Sequence, residues 1–222
     1  MRRQRNRQHI DRQRAEDLKN RQTALANALL FKMARIYSNL YAVHRHFEDG
    51  FAEGKQRGIT DEPWKFVIPI ANPPDPVSFT SDEMSMLLAQ KDDDVFNAVM
   101  EMDTIHNSLM AAVRTFNTLR SLLGERIAAT FTVDKVDGPV ISSIAKREDM
   151  RPLRPLMVDV NMMIESLRNR AMRDATDSWN AMERLQDLLR NRLGLAYRMS
   201  AKYRPSDDSS SSASPRPASP SK

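Results

Sequence analysis

Cysteine is absent from the 222-residue chain. Disulfides, thiolate nucleophiles, cysteine-bound zinc and iron–sulfur clusters are excluded together, and nothing points to an oxidising compartment. Glycine is nearly as scarce: there are 6, and none falls in a Gly-x-Ser-x-Gly, a Gly-x-Gly or a phosphate-binding loop. Acyl transfer at a nucleophile elbow, P-loop chemistry and dinucleotide binding therefore lack the backbone they need. Aromatic residues are few, with 8 Phe, 4 Tyr and 2 Trp against 14 Met, so the core is expected to be adaptable and mainly aliphatic. No uninterrupted apolar run approaches the ~18 to 20 residues that span a bilayer, and Met1 is followed by arginines rather than an apolar stretch. On this reading the chain is soluble, unprocessed and cytoplasmic. Most of the 12 prolines crowd into residues 63 to 76 and the last eighteen positions, which leaves long stretches free of helix breakers.

Charge is present but unevenly placed. The net charge is +5, and residues 1 to 14 hold six arginines (Arg2, Arg3, Arg5, Arg7, Arg12, Arg14) against Asp11 alone, leaving 28 basic and 28 acidic residues elsewhere. The body is neutral and residues 1–16 form a basic arm. Such an arm attracts polyanions through a screened, salt-sensitive force, either anionic lipid headgroups or nucleic-acid phosphates. These six arginines are the candidate anion-binding residues. The arm contains no aromatic residue for base stacking, and nothing downstream reads as a recognition helix or zinc finger.

Behind the arm the spacing predicts an all-α fold, an antiparallel bundle of three long helices plus one short helix, occupying residues 17–203. From about Asp17 to Phe51, Ala26, Met33, Leu40 and Phe47 fill one core column and Leu29, Ile36 and Val43 the other, widened by Leu30, Tyr37 and His44. This helix is expected to fade across Gly50, Gly54 and Gly58. Residues 59–79 carry too many prolines for helix and too many apolar residues (Trp64, Phe66, Val67, Ile68, Ile70) for a solvated linker. An extended crossover strapped across the bundle is predicted. Thr80-Ser81-Asp82-Glu83 has the pattern of a capping box and starts a short helix to about Gln90, with a break at Lys91 to Asp94.

A second long helix follows to about Ile127, with Val95, Met102, Leu109, Phe116 and Leu123 in one column and Ala98, Ile105, Ala112 and Leu119 in its partner. Residues 128–149 lose the helical period and contain Asp137-Gly138-Pro139 between β-branched runs, which reads as an irregular connection with a small hairpin. The last helix is predicted from about Met150 to Lys202, with an apolar stripe that thins over Asp174 to Ser178. Residues 204–222 are a Ser/Pro tail expected to be disordered.

The metal-like spacings are Asp103-x-x-His106 and His44-x-x-x-Glu48. Carboxylate-bridged sites in helical bundles use Glu-x-x-His twice plus two further carboxylates, and only one Asp-x-x-His occurs here. His44, Asp103 and His106 are thus minor metal candidates for a metal-dependent bundle enzyme, weighed against hydrogen-bonded histidines at the edge of the core. Trp64, Trp179 and the methionine stripes are read as packing. No catalytic or cofactor-binding constellation is found, so the chain is expected not to be an enzyme and to need no cofactor.

The segments Leu29-Leu30-Phe31-Lys32-Met33, Glu62-Pro63-Trp64 and Phe79-Thr80-Ser81-Asp82-Glu83-Met84 resemble a family of uncharacterised helical proteins of alphaproteobacteria. The similarity continues through Phe96-Asn97, Ile105-His106-Asn107-Ser108 and Arg192-Leu193-Gly194-Leu195, most of the body. The resemblance implies a membrane-spanning segment directly before the arm, which this chain lacks; either the start lies downstream of the true one or this is a soluble member. It brings no activity or catalytic residues. The combined reading is a non-enzymatic helical interaction or scaffold module, peripheral to or anchored at the inner membrane through its arm. Its expected partners are an anionic membrane surface or an upstream transmembrane segment, and a protein. A nucleic-acid-binding role for the arm is the alternative, and a homo-oligomer is left open.

Overall fold

The computed structural model describes the backbone of residues 2–130, 133–137, 140–143 and 150–196, and the side chains of residues 8–130 and 150–196. Helix α1 spans Arg2–Gln56, α2 Ser81–Leu88, α3 Asp93–Thr130 and α4 Arg154–Leu193; short 3₁₀ turns lie at Pro63–Lys65 and Arg151–Leu153. The long helices pack on one another as an all-α bundle. Within the expected irregular connection, strand β1, Val133–Asp137, pairs antiparallel with β2, Val140–Ser143.

The helix directions follow from the cross-helix pairs. Tyr37 packs on Trp179 and Glu48 binds Arg168, so α4 descends as α1 rises. Arg170 of α4 reaches the Ile105 carbonyl of α3, while Asn39 meets His106 and Phe47 meets Phe116. Helices α1 and α3 are therefore parallel, and α4 is antiparallel to both. Parallel neighbours need a return path, and residues 59–79 supply it by running back along α3: Val67 lies at Arg120, Ile70 at Asn117, Pro74 at Arg114 and Val77 at Asn107.

Both apolar columns of α1 and its widening residues are buried as expected, from Ala26 to Phe47. The helix does not fade at Gly50 or Gly54. A Cβ at Gly54 would lie 2.7 Å from the Phe66 ring and 2.9 Å from the Ile59 carbonyl, so this glycine is where the strap's aromatic ring seats on the helix. The stop comes at Gly58 (φ +71), where Ile59 N–H donates to Gly54 C=O and Gly58 N–H to Lys55 C=O, a Schellman motif. At its other end α1 begins at Arg2, well before the apolar stripe, so the arm is a continuation of the helix.

The predicted capping box is present: Glu83 N–H donates to Thr80 Oγ1 at 3.3 Å and Thr80 N–H to Glu83 Oε2 at 2.7 Å. Lys32 of α1 adds a third bond to the same carboxylate at 2.8 Å. Burial works to raise the Glu83 carboxyl, but the Lys32 and Thr80 hydrogen bonds outweigh it and hold the group below its ordinary range. The break after α2 uses Lys91 in a left-handed conformation (φ 57), after which Asp92 accepts from Val95 N–H at 3.0 Å and opens α3.

Two readings of the apolar pattern are corrected. The second buried column of α3 is Val99, His106, Val113, Arg120 and Ile127; Ala98, Ile105, Ala112 and Leu119 are only partly buried. Two polar members hid that column from an apolar count. Helix α4 ends at Leu193, with Gly194 left-handed (φ 68), rather than continuing to Lys202; positions from 197 onward, the Ser/Pro tail included, lie outside the described residues. Its thinned middle is a stripe of small residues packed inward, with Ala171, Ala175 and Ser178 fully buried, so the helix stays unbroken.

The Gly54 contact predicts an inverted glycine effect. Gly→Ala inside an exposed helix stabilises by roughly 1 kcal/mol. Gly54→Ala is expected to destabilise by about 1 to 3 kcal/mol in urea unfolding, because the Phe66 ring must move. Gly50→Ala, whose Cβ would lie 3.3 Å from a Val67 methyl, should change stability by less than about 1 kcal/mol. Equal effects at the two sites would remove Phe66 seating as the reason for the glycine.

Candidate anion-binding helix and clamped strap

Two features of the chain sit outside ordinary core packing: the free stretch of α1 and the strap. The α1–α4 register gives the length of the first. Residue 37 pairs with 179 and 48 with 168, eleven residues on each helix, so Leu193, fourteen past Trp179, lies opposite residue 23. About 20 residues of α1 therefore extend past the end of α4, roughly 30 Å at ~1.5 Å per residue. Residues 8 to 21 are exposed without exception, among them Arg12, Arg14, Ile10 and Leu18. Arg2, Arg3, Arg5 and Arg7 occupy helical positions further out, and their side chains lie outside the described residues.

The helical register explains why this stretch stays uncovered. Counting back by heptads from Ala26 and Leu29 places Lys19, Arg12 and Arg5 in one core column and Gln22, Ala15 and Gln8 in the other. An apolar seam would draw a partner helix; a seam of cations and amides does not. Arg21 at the base of the stretch binds Asp82 of α2 at 2.9 Å, an exposed pair that contributes little.

The strap poses the opposite problem, since part of its backbone is covered by the helices it lies on. Prolines leave no regular ladder, and each buried amide or carbonyl without a partner costs about 1 to 3 kcal/mol. Side chains of α3 provide the partners. Asn117 accepts from Ile70 N–H and donates to Ile70 C=O, both at 2.9 Å. Asn107 does the same for Val77, at 3.1 and 2.9 Å. Arg114 reaches the Pro74 carbonyl at 3.0 Å and Arg120 the Val67 carbonyl at 3.3 Å. From α4, Asn161 accepts from Trp64 N–H at 2.8 Å, and His46 of α1 donates to the Ile68 carbonyl at 2.9 Å. Trp64, Phe66, Val67 and Val77 then bury their side chains, while Ile68 points out.

Ionic groups brace the far end of the strap. Arg168 binds Glu48 with two hydrogen bonds, 2.7 and 3.0 Å, and its guanidinium lies 4.0 Å from the Phe51 ring, which packs edge-on against Phe66. The Arg168 bond holds the Glu48 carboxyl below its ordinary range and raises the guanidinium in turn. Arg120 is 95% buried, and burial pulls its guanidinium below its ordinary value. Asp174, buried in α4, is raised by burial in spite of Arg170 at 2.9 Å.

The metal candidates have other partners. His106 has no exposed surface, and its ring nitrogens face two asparagines: Nε2 lies 3.0 Å from Asn39 Nδ2 and Nδ1 3.0 Å from Asn107 Oδ1. Asp103 accepts a 3.4 Å contact from Asn107 Nδ2. His44 is buried beside Tyr41 on the α1–α4 side. Among the described residues no group of three or more His, Asp or Glu side chains is arranged to hold a metal.

What sequence reading missed is the clamp. Asn107, Arg114, Asn117 and Arg120 recur at helical spacing on one face of α3, and a polar stripe opposite a proline-rich segment was the available signal. Burial of a stripe of this kind is visible only when the strap lies on it. No family model, no curated protein and no solved structure matches the chain.

The clamp predicts that Asn117→Ala lowers stability by about 2 kcal/mol, since two hydrogen bonds go and both Ile70 backbone groups lose their partner. Urea unfolding at constant m-value measures it. A loss below about 0.5 kcal/mol would show that water replaces the amide at no cost.

Proposed function

We propose that this protein is a non-enzymatic helical interaction or scaffold module, held at an anionic membrane surface by the arginine-rich extension of α1. The observation that supports it most directly is the uncovered stretch itself. A charge-neutral body carries one exposed helical projection, the projection bears the whole net charge, and its register offers no apolar seam for a partner helix. Anionic headgroups satisfy such a helix at roughly 1 kcal/mol per basic residue near the surface. Attachment is electrostatic and peripheral: Ile10 and Leu18 are too few and too far apart for an apolar face that inserts. No described helix is long and apolar enough to cross a membrane. The bundle then serves as the cytoplasmic platform, and a protein partner binds it.

A nucleic-acid reading has one specific observation in its favour. Positions 3, 7, 14 and 21 lie on one line of the helix and 5, 12 and 19 on the opposite line, an arrangement that addresses both walls of a duplex groove. The absence of an aromatic residue in the arm weighs against single-stranded targets.

Liposome co-sedimentation tests the proposal. The protein is expected to pellet with vesicles containing phosphatidylglycerol and to stay in solution with pure phosphatidylcholine, with binding that weakens as salt rises from low to physiological. Replacing Arg2, Arg3, Arg5, Arg7, Arg12 and Arg14 by Gln should abolish binding and leave the thermal midpoint unchanged. Equal binding to neutral and anionic vesicles, or full binding by the six-Gln variant, refutes the membrane role. Duplex DNA retained at a salt concentration that releases the vesicles would transfer the arm to the nucleic-acid reading.

A further inference from the structure

At the end of the bundle away from the arm, the first turns of α4 and the start of the strap border a cavity of about 550 Å³. That volume lies within the range of small-molecule sites. Helical spacing sets its α4 wall. Arg154, Met157, Val158 and Asn161 fall at i, i+3, i+4 and i+7 and share one face, with Arg151 one turn ahead of them. Glu62, just before the 3₁₀ turn at Pro63–Lys65, supplies the strap's part of the wall.

Charge in this cavity is unbalanced. Glu62 forms an ion pair with Lys65, whose ammonium lies 5.7 Å from the centre of the Trp64 ring. Arg151 and Arg154 are exposed, and among the described residues neither has a hydrogen-bond or carboxylate partner. With Glu62 offset by Lys65, two positive charges remain in the wall. Asn161 adds a neutral donor: its Oδ1 accepts from Trp64 N–H at 2.8 Å, which fixes the amide's orientation, and its Nδ2 has no acceptor among the described residues. Beside these donors Met157 and Val158 form an apolar surface, and Val158 is 47% exposed.

A ligand that matches carries an oxyanion of charge near −2 and a short apolar part. A phosphate monoester has both. Its charge is roughly −1.5 to −2 at pH 7, its oxygens suit two guanidinium forks, and its organic group is free to lie on Met157 and Val158. A carboxylate would leave one arginine uncompensated. The length of α4 separates the cavity from the base of the arm, roughly 60 Å at ~1.5 Å per residue, so a vesicle held by the arm does not supply the phosphate.

We propose that this cavity binds a soluble phosphate monoester bearing a short apolar group. Arg151 and Arg154 hold the phosphate, Asn161 Nδ2 is a further donor, and Met157 and Val158 cover the apolar group. The site is independent of membrane attachment.

NMR titration of the full chain with hexyl phosphate at about pH 7.5 tests the site, read on the methyl groups of Met157 and Val158 and the side-chain amide of Asn161. Those signals are expected to shift and saturate, with a Kd of about 1 mM or tighter. Inorganic phosphate, which lacks the apolar part, should bind about tenfold more weakly, the effect of burying about two methylenes. Hexanol should not saturate the site. Arg151→Gln and Arg154→Gln should each weaken hexyl phosphate binding about tenfold. Val158→Glu, which adds a carboxylate to the wall at an exposed helical position, should abolish it. Absence of a saturable shift at Met157, Val158 and Asn161, equal affinity for inorganic and hexyl phosphate, or undiminished binding by both arginine variants overturns the proposal. If a variant does not fold, the wild-type series decides: hexanol binding as tightly as hexyl phosphate would reduce the site to an apolar dent and end the phosphate assignment.

Discussion

A proline-rich backbone laid against a helix bundle cannot close its own hydrogen bonds, and most of what is unusual in this bundle answers that constraint. Helices α1 and α3 run parallel, so the chain must return along the bundle between them, and the return lies partly buried against α3. Helix α3 meets the cost by turning a polar stripe inward. Asn107 and Asn117 each bind both backbone groups of one strap residue, as a neighbouring strand would, and the two arginines take isolated carbonyls. The same stripe holds the buried His106 in a single tautomer and leaves Arg120 as a buried cation on a carbonyl.

The close fit of the strap propagates to its neighbours. The Phe66 ring sits where Gly54 has no side chain, so a residue that would weaken an exposed helix becomes a contact surface here. Phe51 closes over Phe66, and the Arg168–Glu48 pair lies on Phe51, which ties the strap to the α1–α4 interface. In the middle of α4, Ala171, Ala175 and Ser178 are fully buried beside Trp179, whose ring packs on Tyr37 of α1.

The basic extension obeys a different rule. Its residues continue the α1 helix because nothing in Arg2 to Arg21 breaks one: arginine and glutamine are good helix formers and no Gly or Pro intervenes. Its columns lose their apolar members at Gln22 and Lys19, and packing ceases near there. Helical continuity and core packing thus end about 20 residues apart, and the cationic stretch lies between the two limits.

Local pattern sufficed wherever the deciding interaction was local or apolar. The core columns of α1, the Thr80–Glu83 capping box, the break at Lys91 and the exclusion of helix from 59–79 could all be read from spacing, because heptads, caps and prolines act within a few residues. The course of the strap, the inward face of α3 and the role of Gly54 required the tertiary structure. Polar residues turn toward the protein only when a distant backbone arrives needing partners, and glycine becomes a contact site only when a distant ring fills its place. Neither condition is written near Asn107, Asn117 or Gly54 in the chain. The meeting of segments tens of residues apart supplies them, so sequence determined the helices and tertiary structure decided which of their polar faces turned inward.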